Sequence, residues 1–336
     1  MSLLSVRDLQ VTYASRAGAV RAVDGMDLQI PFGSITGLVG ESGCGKSTLG
    51  RALMGVLPES GAITRGAVVF EGQDIVRLSP AAQRELRWRR MAFVPQTAMN
   101  ALDPVQRLRA QMFEVLQQRG GFSRAEAAVR ASELFTMVGL DPARLSDYPH
   151  QFSGGMRQRA SIALALALSP ALVIADEPVT ALDVIVQRQV LDVLRDLQAR
   201  LNLAMILVTH DMAVVAYACD RVAVMYAGQI VESGPVADVL ERPLHPYTMG
   251  LSHAFPDVHG GDDALVPIEG SPPSLLHPPE GCRFAARCPF ALERCGREAP
   301  LLGAGATDHL VACWRSGEAA ELRGLAAQPV TWGGIG

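Results

Sequence analysis

Nine consecutive residues, Gly40 to Thr48 (GESGCGKST), carry the most specific chemistry in the chain. They fit G-x-x-x-x-G-K-[ST], a pattern that suits a polyphosphate. A triphosphate brings several negative charges that must be neutralised away from bulk water. Glycines let the backbone wrap close, so that successive N–H groups point inward at phosphate oxygens. Gly40, Ser42, Gly43, Cys44, Gly45, Lys46, Ser47 and Thr48 are therefore candidate nucleotide-binding residues. Lys46 can reach the β- and γ-phosphates, and the Ser47 hydroxyl can ligate Mg²⁺. A helix beginning here adds the partial positive charge of its N-terminus.

A second constellation follows. Leu172-Val173-Ile174-Ala175-Asp176-Glu177 is an apolar run ending in two acids. A buried strand would set Asp176 at its C-terminal edge, where it can hold Mg²⁺ through water. Glu177, one residue on, can polarise an attacking water. Pro178 and Ala181-Leu182-Asp183 follow at once, which argues against ordinary surface acids. Phe152-Ser153-Gly154-Gly155-Met156-Arg157-Gln158-Arg159 opens a helix. A serine and two glycines at a helix start make a second anion nest. Ser153 as a plain N-cap is compatible with this, but leaves the paired glycines unexplained. One phosphate loop plus one spare nest suggests that two chains share a nucleotide.

These residues need a scaffold. Residues 4–13 and 21–30 alternate and are rich in β-branched side chains, so they read as strands. Ser34 to Val39 reads as a short buried strand ahead of the phosphate loop, and Leu49 to Leu57 as the helix behind it. Ala67 to Val76 reads as two short strands around a turn at Glu71-Gly72, and Met91 to Pro95 as another strand. From Gln96 to about Pro149 helical periodicity dominates, as at Val129, Leu134, Met137 and Val138. Strand–helix alternation then resumes with Leu172–Ala175, a helix Val184–Leu201, Ala204–Val208, a helix from Met212, and Arg221–Tyr226. Such alternation implies an α/β fold with a mainly parallel sheet covered by helices. The expected organisation is a nucleotide-binding domain over 1–255, with a helical subdomain at about 97–155. A Pro/Gly-rich linker over 256–280 and a cysteine-rich extension over 281–325 follow, with Gly317 onward weakly ordered.

The bulk properties exclude some classes. With 336 residues and 49% apolar side chains a sizeable core can form. A net charge of −4 gives no electrostatic case for nucleic acid. The basic stretch Arg84 to Arg90 reads as a solvated helix face. No apolar run has the length to span a bilayer, and the first residues lack a secretion signal. The reading is a cytosolic chain that meets a membrane only through a partner. Six cysteines in that setting argue for metal or redox chemistry over disulfides.

Taken in order, the motifs from about Leu3 to Gly250 resemble the ATP-binding cassette (ABC) ATPases. The resemblance implies a P-loop cassette with a mixed sheet core, an antiparallel β subdomain and an inserted helical subdomain. Ser153, Gly154, Gly155 and Gln158 fall in the family signature, which binds the ATP of a partner; Phe152 stands where Leu is common. Gln96 matches the Q-loop glutamine, which touches Mg²⁺ and couples to a transmembrane partner. His210 matches the switch histidine at the γ-phosphate, and Asp183 the D-loop that signals between two sites. Tyr13 is in the place of the aromatic that stacks on adenine, with a surface strand aromatic as its alternative. The implied catalytic pair is Glu177 and His210, the implied Mg²⁺ ligands Ser47, Gln96 and Asp176. Two such ATPases would close head to tail around ATP.

Arg242-Pro243-Leu244-His245-Pro246-Tyr247-Thr248 resembles a segment of the oligopeptide, dipeptide and nickel uptake branch of that family. This implies an ATP-hydrolysing subunit that energises an importer of di- or oligopeptides or related ligands. Implied partners are a second ABC ATPase, two permease subunits and an extracytoplasmic solute-binding protein. The implied location is peripheral, on the cytoplasmic face of the inner membrane. The alternative is a non-transport ABC ATPase, for example of the iron–sulfur assembly type, which lacks the His245-Pro246-Tyr247 segment and the cysteine tail. That tail holds Cys282, Cys288, Cys295 and Cys313, with gaps of five, six and seventeen residues. Structural zinc prefers tight C-x₂₋₄-C pairs, whereas Cys₄-ligated iron–sulfur clusters accept looser spacing. The branch carries a similar tail, in some members with an iron–sulfur cluster, so a [4Fe–4S] cluster is expected, with Zn²⁺ or unligated buried cysteines as alternatives. Arg283, Arg287, Arg294 and Arg297 would offset the cluster's charge or lie on the surface.

Overall fold

The computed structural model describes residues 2–96, 101–253, 267–306 and 308–332. In chain order the strands are β1 (Ser2–Ser15), β2 (Gly18–Pro31), β3 (Ile35–Val39), β4 (Gly61–Phe70), β5 (Gln73–Asp74), β6 (Met91–Val94), β7 (Leu172–Asp176), β8 (Ala204–Thr209), β9 (Arg221–Tyr226), β10 (Gln229–Pro235), β11 (Gly303–Ala306) and β12 (His309–Val311). The helices used below are α1 (Lys46–Leu53), α2 (Arg124–Met137), α3 (Gly154–Ala165), α4 (Val184–Leu201), α5 (Met212–Ala218), α6 (Pro246–His253) and α7 (Ala319–Ala326). By contacts the chain divides into two compact units. The first holds Met1–Leu3, Ile30–Ile35 and Arg77–Val208; the second holds Leu4–Gln29, Thr36–Val76 and Thr209–Gly336.

In the first unit, β6, β7 and β8 pair in parallel, with Ala92 opposite Val173 and Ile174 opposite Ile206. All five residues of β7 are buried. A parallel strand covered on both faces needs such an unbroken apolar run. The helical region is set by its caps. Ser123 and Glu126 form a reciprocal capping box at the start of α2. Its buried stripe is Ala127, Ala131, Leu134 and Phe135, spaced i, i+4, i+7, i+8. Val129, one of the residues that marked the helical periodicity, is exposed. Alanines supply half the stripe, so counting only large side chains shifts its phase.

In the second unit, β2-β1-β4-β5 form an antiparallel sheet. Buried Met26 and Leu28 alternate with exposed Asp27 and Gln29, as a sheet with one wet face requires. The expected turn between β4 and β5 is present, with positive φ at Glu71 and Gly72, the signature of a type I′ hairpin. A second, mixed sheet pairs β3 parallel to β9, and β9 antiparallel to β10, which continues through β12 to β11. The strands of the cysteine-bearing tail thus extend this mixed sheet.

That arrangement corrects one expectation. Gly317 onward is ordered as far as it is described: α7 buries Leu322 and Ala326, and Trp332 is 1% exposed. They share one core with Val222, Val224, Tyr226 and Tyr247. The Trp332 indole N–H donates to the Ala326 carbonyl at 2.8 Å, so its polar edge is satisfied. Of the expected linker only 267–280 lie among the described residues, and Ile268 and Leu275 pack on the same core. We expect Trp332→Ala to lower the unfolding free energy by about 3–5 kcal/mol, the usual cost of emptying a buried aromatic site. Urea unfolding would measure it, and parental stability would contradict the packing described.

Candidate functional site

The phosphate loop leaves β3, whose five residues are all buried, and enters α1 directly at Lys46. Its path is sterically fixed. Gly45 has φ +107, and a Cβ there would lie 2.2 Å from the Ala22 carbonyl oxygen. A Cβ on Gly40 would lie 2.0 Å from the Met225 carbonyl oxygen. Only glycine fits such approaches. Lys46 is buried, and its Nζ donates to the Gly40 and Glu41 carbonyls at 2.6 and 2.9 Å. The ammonium is thereby bent back over the loop it must serve. Cys44 is buried beneath it, and burial raises its thiol pKa. Tyr13 on β1 donates its hydroxyl to Thr48 Oγ1 at 3.3 Å, which sets the ring beside α1. His210 is exposed after β8, and Asp211 next to it caps α5 by accepting from the Ala213 N–H at 2.7 Å. Ser47, with its hydroxyl, lies in the first turn of α1.

The first unit carries the other candidates. Asp176 ends β7 and is buried. Glu177 follows with φ +48, a left-handed backbone that costs a non-glycine residue energy. Its N–H is fixed on the Val208 carbonyl at 2.8 Å. One carboxylate oxygen, Oε2, accepts from Gln96 Nε2 at 2.8 Å and from the Thr180 hydroxyl at 3.0 Å. Gln96 is therefore paired with the candidate base. Ser153 caps α3, accepting from the Met156 N–H at 3.3 Å. Gly155 is required by packing, since a Cβ there would lie 2.3 Å from Val186 Cγ1 in the first turn of α4. Asp183 caps α4, accepting from the Val186 N–H at 3.0 Å. The signature and the D-loop thus meet through Gly155 and Val186. Phe152 is buried under the Arg144 guanidinium, 4.4 Å from its ring centre, so the exchange from leucine is accommodated. Gln158 is buried, and its Nε2 has no hydrogen-bond partner among the described residues.

Cys282, Cys288, Cys295 and Cys313 line one small cavity together with His245, Phe284, Phe290 and Trp314. Burial pushes the Cys288 thiol up to about 12 and the Cys313 thiol up to about 11, and raises that of Cys282. Burial holds His245 down at about 3, and its Nδ1 accepts from the Tyr247 N–H at 3.0 Å. Among the described residues, no three or more His, Cys, Asp and Glu side chains come together as a group that could hold a metal ion. The arginines do not face the thiols as expected. Arg283 and Arg287 are buried against Asp24 and Glu41, while Arg294 and Arg297 pair with Glu298 and Glu293.

Sequence reasoning missed Glu41 and its contacts. The residue is silent in the phosphate-loop pattern, and its partners, Tyr247 and Arg287, lie more than 200 positions away. It also missed Glu232, fully buried, which accepts from the Leu244 and His245 N–H groups at 2.7 and 3.0 Å and lies 2.6 Å from His309 Nε2.

The family model described as ABC transporter matches residues 23–180, and that for the oligopeptide/dipeptide transporter C-terminal region matches residues 231–295. The chain is 46% identical over 324 residues to the "Probable peptide ABC transporter ATP-binding protein y4tR" of Sinorhizobium fredii, covering 95% of this chain and 97% of that one. It is 42% identical over 324 residues to the dipeptide transport ATP-binding protein DppD of Bacillus subtilis, covering 95% and 96%. Among solved structures, a dimeric post-hydrolysis state of the ATP-binding cassette MJ0796 bound to ADP and Pi superposes with a TM-score of 0.61 at 26% identity. It covers 69% of this chain and 98% of that one.

Because a methyl group at Gly45 meets backbone and the φ value is positive, we expect Gly45→Ala to weaken retention of a fluorescent ATP analogue by at least about tenfold. Circular dichroism should stay near parental. Unchanged retention would mean the loop conformation does not matter.

Proposed function

The chain belongs to the ABC transporter ATPases, and from that premise we propose that its hydrolysis of ATP drives import of di- and oligopeptides. The observation that carries the substrate class is the near-full-length likeness to proteins named for peptide and dipeptide transport, which includes the C-terminal region. Among the described residues no helix is long and apolar enough to cross a membrane. In this reading the chain sits on the cytoplasmic face of the membrane through two permease subunits, and an extracytoplasmic binding protein selects the ligand. A second cassette, most simply a related chain, completes the pair.

Each residue then has a task. The loop N–H groups and Lys46 neutralise the phosphates, and Tyr13 flanks the base. Ser47, Asp176 and Gln96 offer hard oxygen donors, which fit Mg²⁺. That ion, when bound, offsets charge on the phosphates. Glu177 takes the proton of the attacking water, and His210 contacts the γ-phosphate. In this structure Gln96 and Thr180 occupy the Glu177 oxygen. Gln96 would serve as one of the residues holding the ion, and release of its hydrogen bond to Glu177 would leave that oxygen open to water. Ser153, Gly154, Gly155 and Gln158 receive the partner's ATP, with Asp183 beside them. We expect Glu177→Gln to abolish turnover while ATP is retained; hydrolysis at the parental rate would remove Glu177 from its role.

The four cysteines are assigned to an iron–sulfur cluster. What supports the assignment is their convergence on one cavity. A single tetrahedral zinc would need sulfurs about 3.8 Å apart. A four-iron cage accepts thiolates spread around its corners. When bound, such a cluster supplies four metal–thiolate bonds that tie residues 282 to 313 together. Burial raises the Cys282, Cys288 and Cys313 thiols, so a bound metal would have to displace their protons. We expect Cys282→Ser to remove visible iron absorbance from anaerobically purified protein. A colourless parent with stoichiometric zinc would reverse the choice.

A further inference from the structure

Glu41 is the second residue of the phosphate loop, and three different contacts meet on it. Arg287 grips its carboxylate with two parallel bonds, Nη1 to Oε2 at 2.9 Å and Nη2 to Oε1 at 3.0 Å. Its N–H donates to the Tyr247 hydroxyl at 2.9 Å. Its carbonyl accepts from Lys46 Nζ at 2.9 Å. One residue therefore joins the C-terminal region to the lysine that a triphosphate requires.

Both anchors are themselves immobilised. Arg287 is 7% exposed, and it also donates to the Glu269 and Ile268 carbonyls at 2.9 and 3.0 Å and to the Tyr226 hydroxyl at 3.2 Å. Tyr247 is fully buried, with ring centres 4.6 Å from Tyr226 and 5.4 Å from Phe284. A fork of this kind fixes direction as well as charge. Its effect on nucleotide is electrostatic. A carboxylate within a phosphate-binding loop repels the ligand unless it is neutralised, and a half-buried one is poorly screened by solvent. Arg287 supplies that neutralisation from 246 residues away. A second tie runs parallel. Arg283 bonds the Ala227 carbonyl and Asp24, and Gly228, next in the chain, donates its N–H to the Cys44 carbonyl at 2.8 Å.

We propose that Arg287 and Tyr247 are positioning residues of the ATPase: Arg287 neutralises and orients Glu41, Tyr247 fixes its N–H, and the C-terminal region thereby sets nucleotide affinity. This rests on the ATPase reading above. Cys282 and Cys288 flank the two arginines in sequence, so anything that disorders residues 282–288 is transmitted to the phosphate loop.

The test is equilibrium binding of a fluorescent Mg·ATP analogue to the purified full chain. Arg287→Gln should weaken binding about tenfold, within the usual range of coupling between sites. Turnover at saturating ATP, where it is measured with the partner subunits, should stay within about twofold of parental, which separates KM from kcat. Adding Glu41→Gln to Arg287→Gln should restore most of the lost affinity, because it removes the uncompensated charge. Tyr247→Phe, which keeps the ring and loses one acceptor, should weaken binding about threefold. Parental affinity in Arg287→Gln, or a double variant as weak as the single, overturns the proposal. Should Arg287→Gln not fold, parental affinity in Tyr247→Phe overturns it instead. Lys46→Ala serves as the control: if it binds as tightly as the parent, the ATPase reading itself fails and takes the proposal with it.

Discussion

A polyphosphate can be held only where the backbone itself comes close enough to donate, and that constraint governs this chain. Gly40 and Gly45 lie so near the carbonyls of Met225 and Ala22 that no side chain fits. The two carbonyls belong to strands of different sheets, β9 and β2, so the loop's shape is dictated by the sheets around it. Lys46 buried against two loop carbonyls completes the arrangement. A buried ammonium is tolerable only with such partners, and these partners are weaker than a phosphate would be. The loop is thus folded in advance around a charge that still gains from an anion.

The same economy marks Glu177. Its positive φ is an energetic cost that the Val208 carbonyl and the Thr180 hydroxyl help to hold in place. Strain of this sort persists where surrounding contacts over-determine it. The benefit is direction: the carboxylate leaves β7 at a fixed angle one residue beyond buried Asp176. Two neighbouring acids, the ones proposed above for proton transfer and for metal, are thereby kept adjacent in sequence yet distinct in environment.

Much of the nucleotide chemistry was legible because it is written in local patterns. A phosphate loop needs glycines at fixed offsets, and a strand that ends in two acids needs only six residues to announce itself. The strand–helix alternation was legible for the same reason. The contacts on Glu41 were not, because an arginine beside cysteines carries no sign of the carboxylate it will meet. Trp332 and α7 were hidden differently. An alanine- and glycine-rich tail lacks a strong helical stripe, and its order comes from packing on Tyr247 and Val224, not from propensity. Glu232 was equally silent. An acid in a short strand looks solvent-facing until β12 brings His309 against it.

Glu232 also explains why the tail strands matter to a region they do not touch in sequence. A fully buried carboxylate is tolerable only when its oxygens are satisfied. Here three partners come from two places: His309 on β12, and the Leu244 and His245 N–H groups ahead of α6. Removing β12 would leave that acid short of a partner and loosen the segment that carries Tyr247. Tyr247 in turn fixes the Glu41 N–H. A continuous set of buried polar contacts therefore runs from the last strands to the phosphate loop. Such networks hold one arrangement or fail together. The C-terminal region thereby packs onto the phosphate loop, and its order bears on a loop that its own residues do not form.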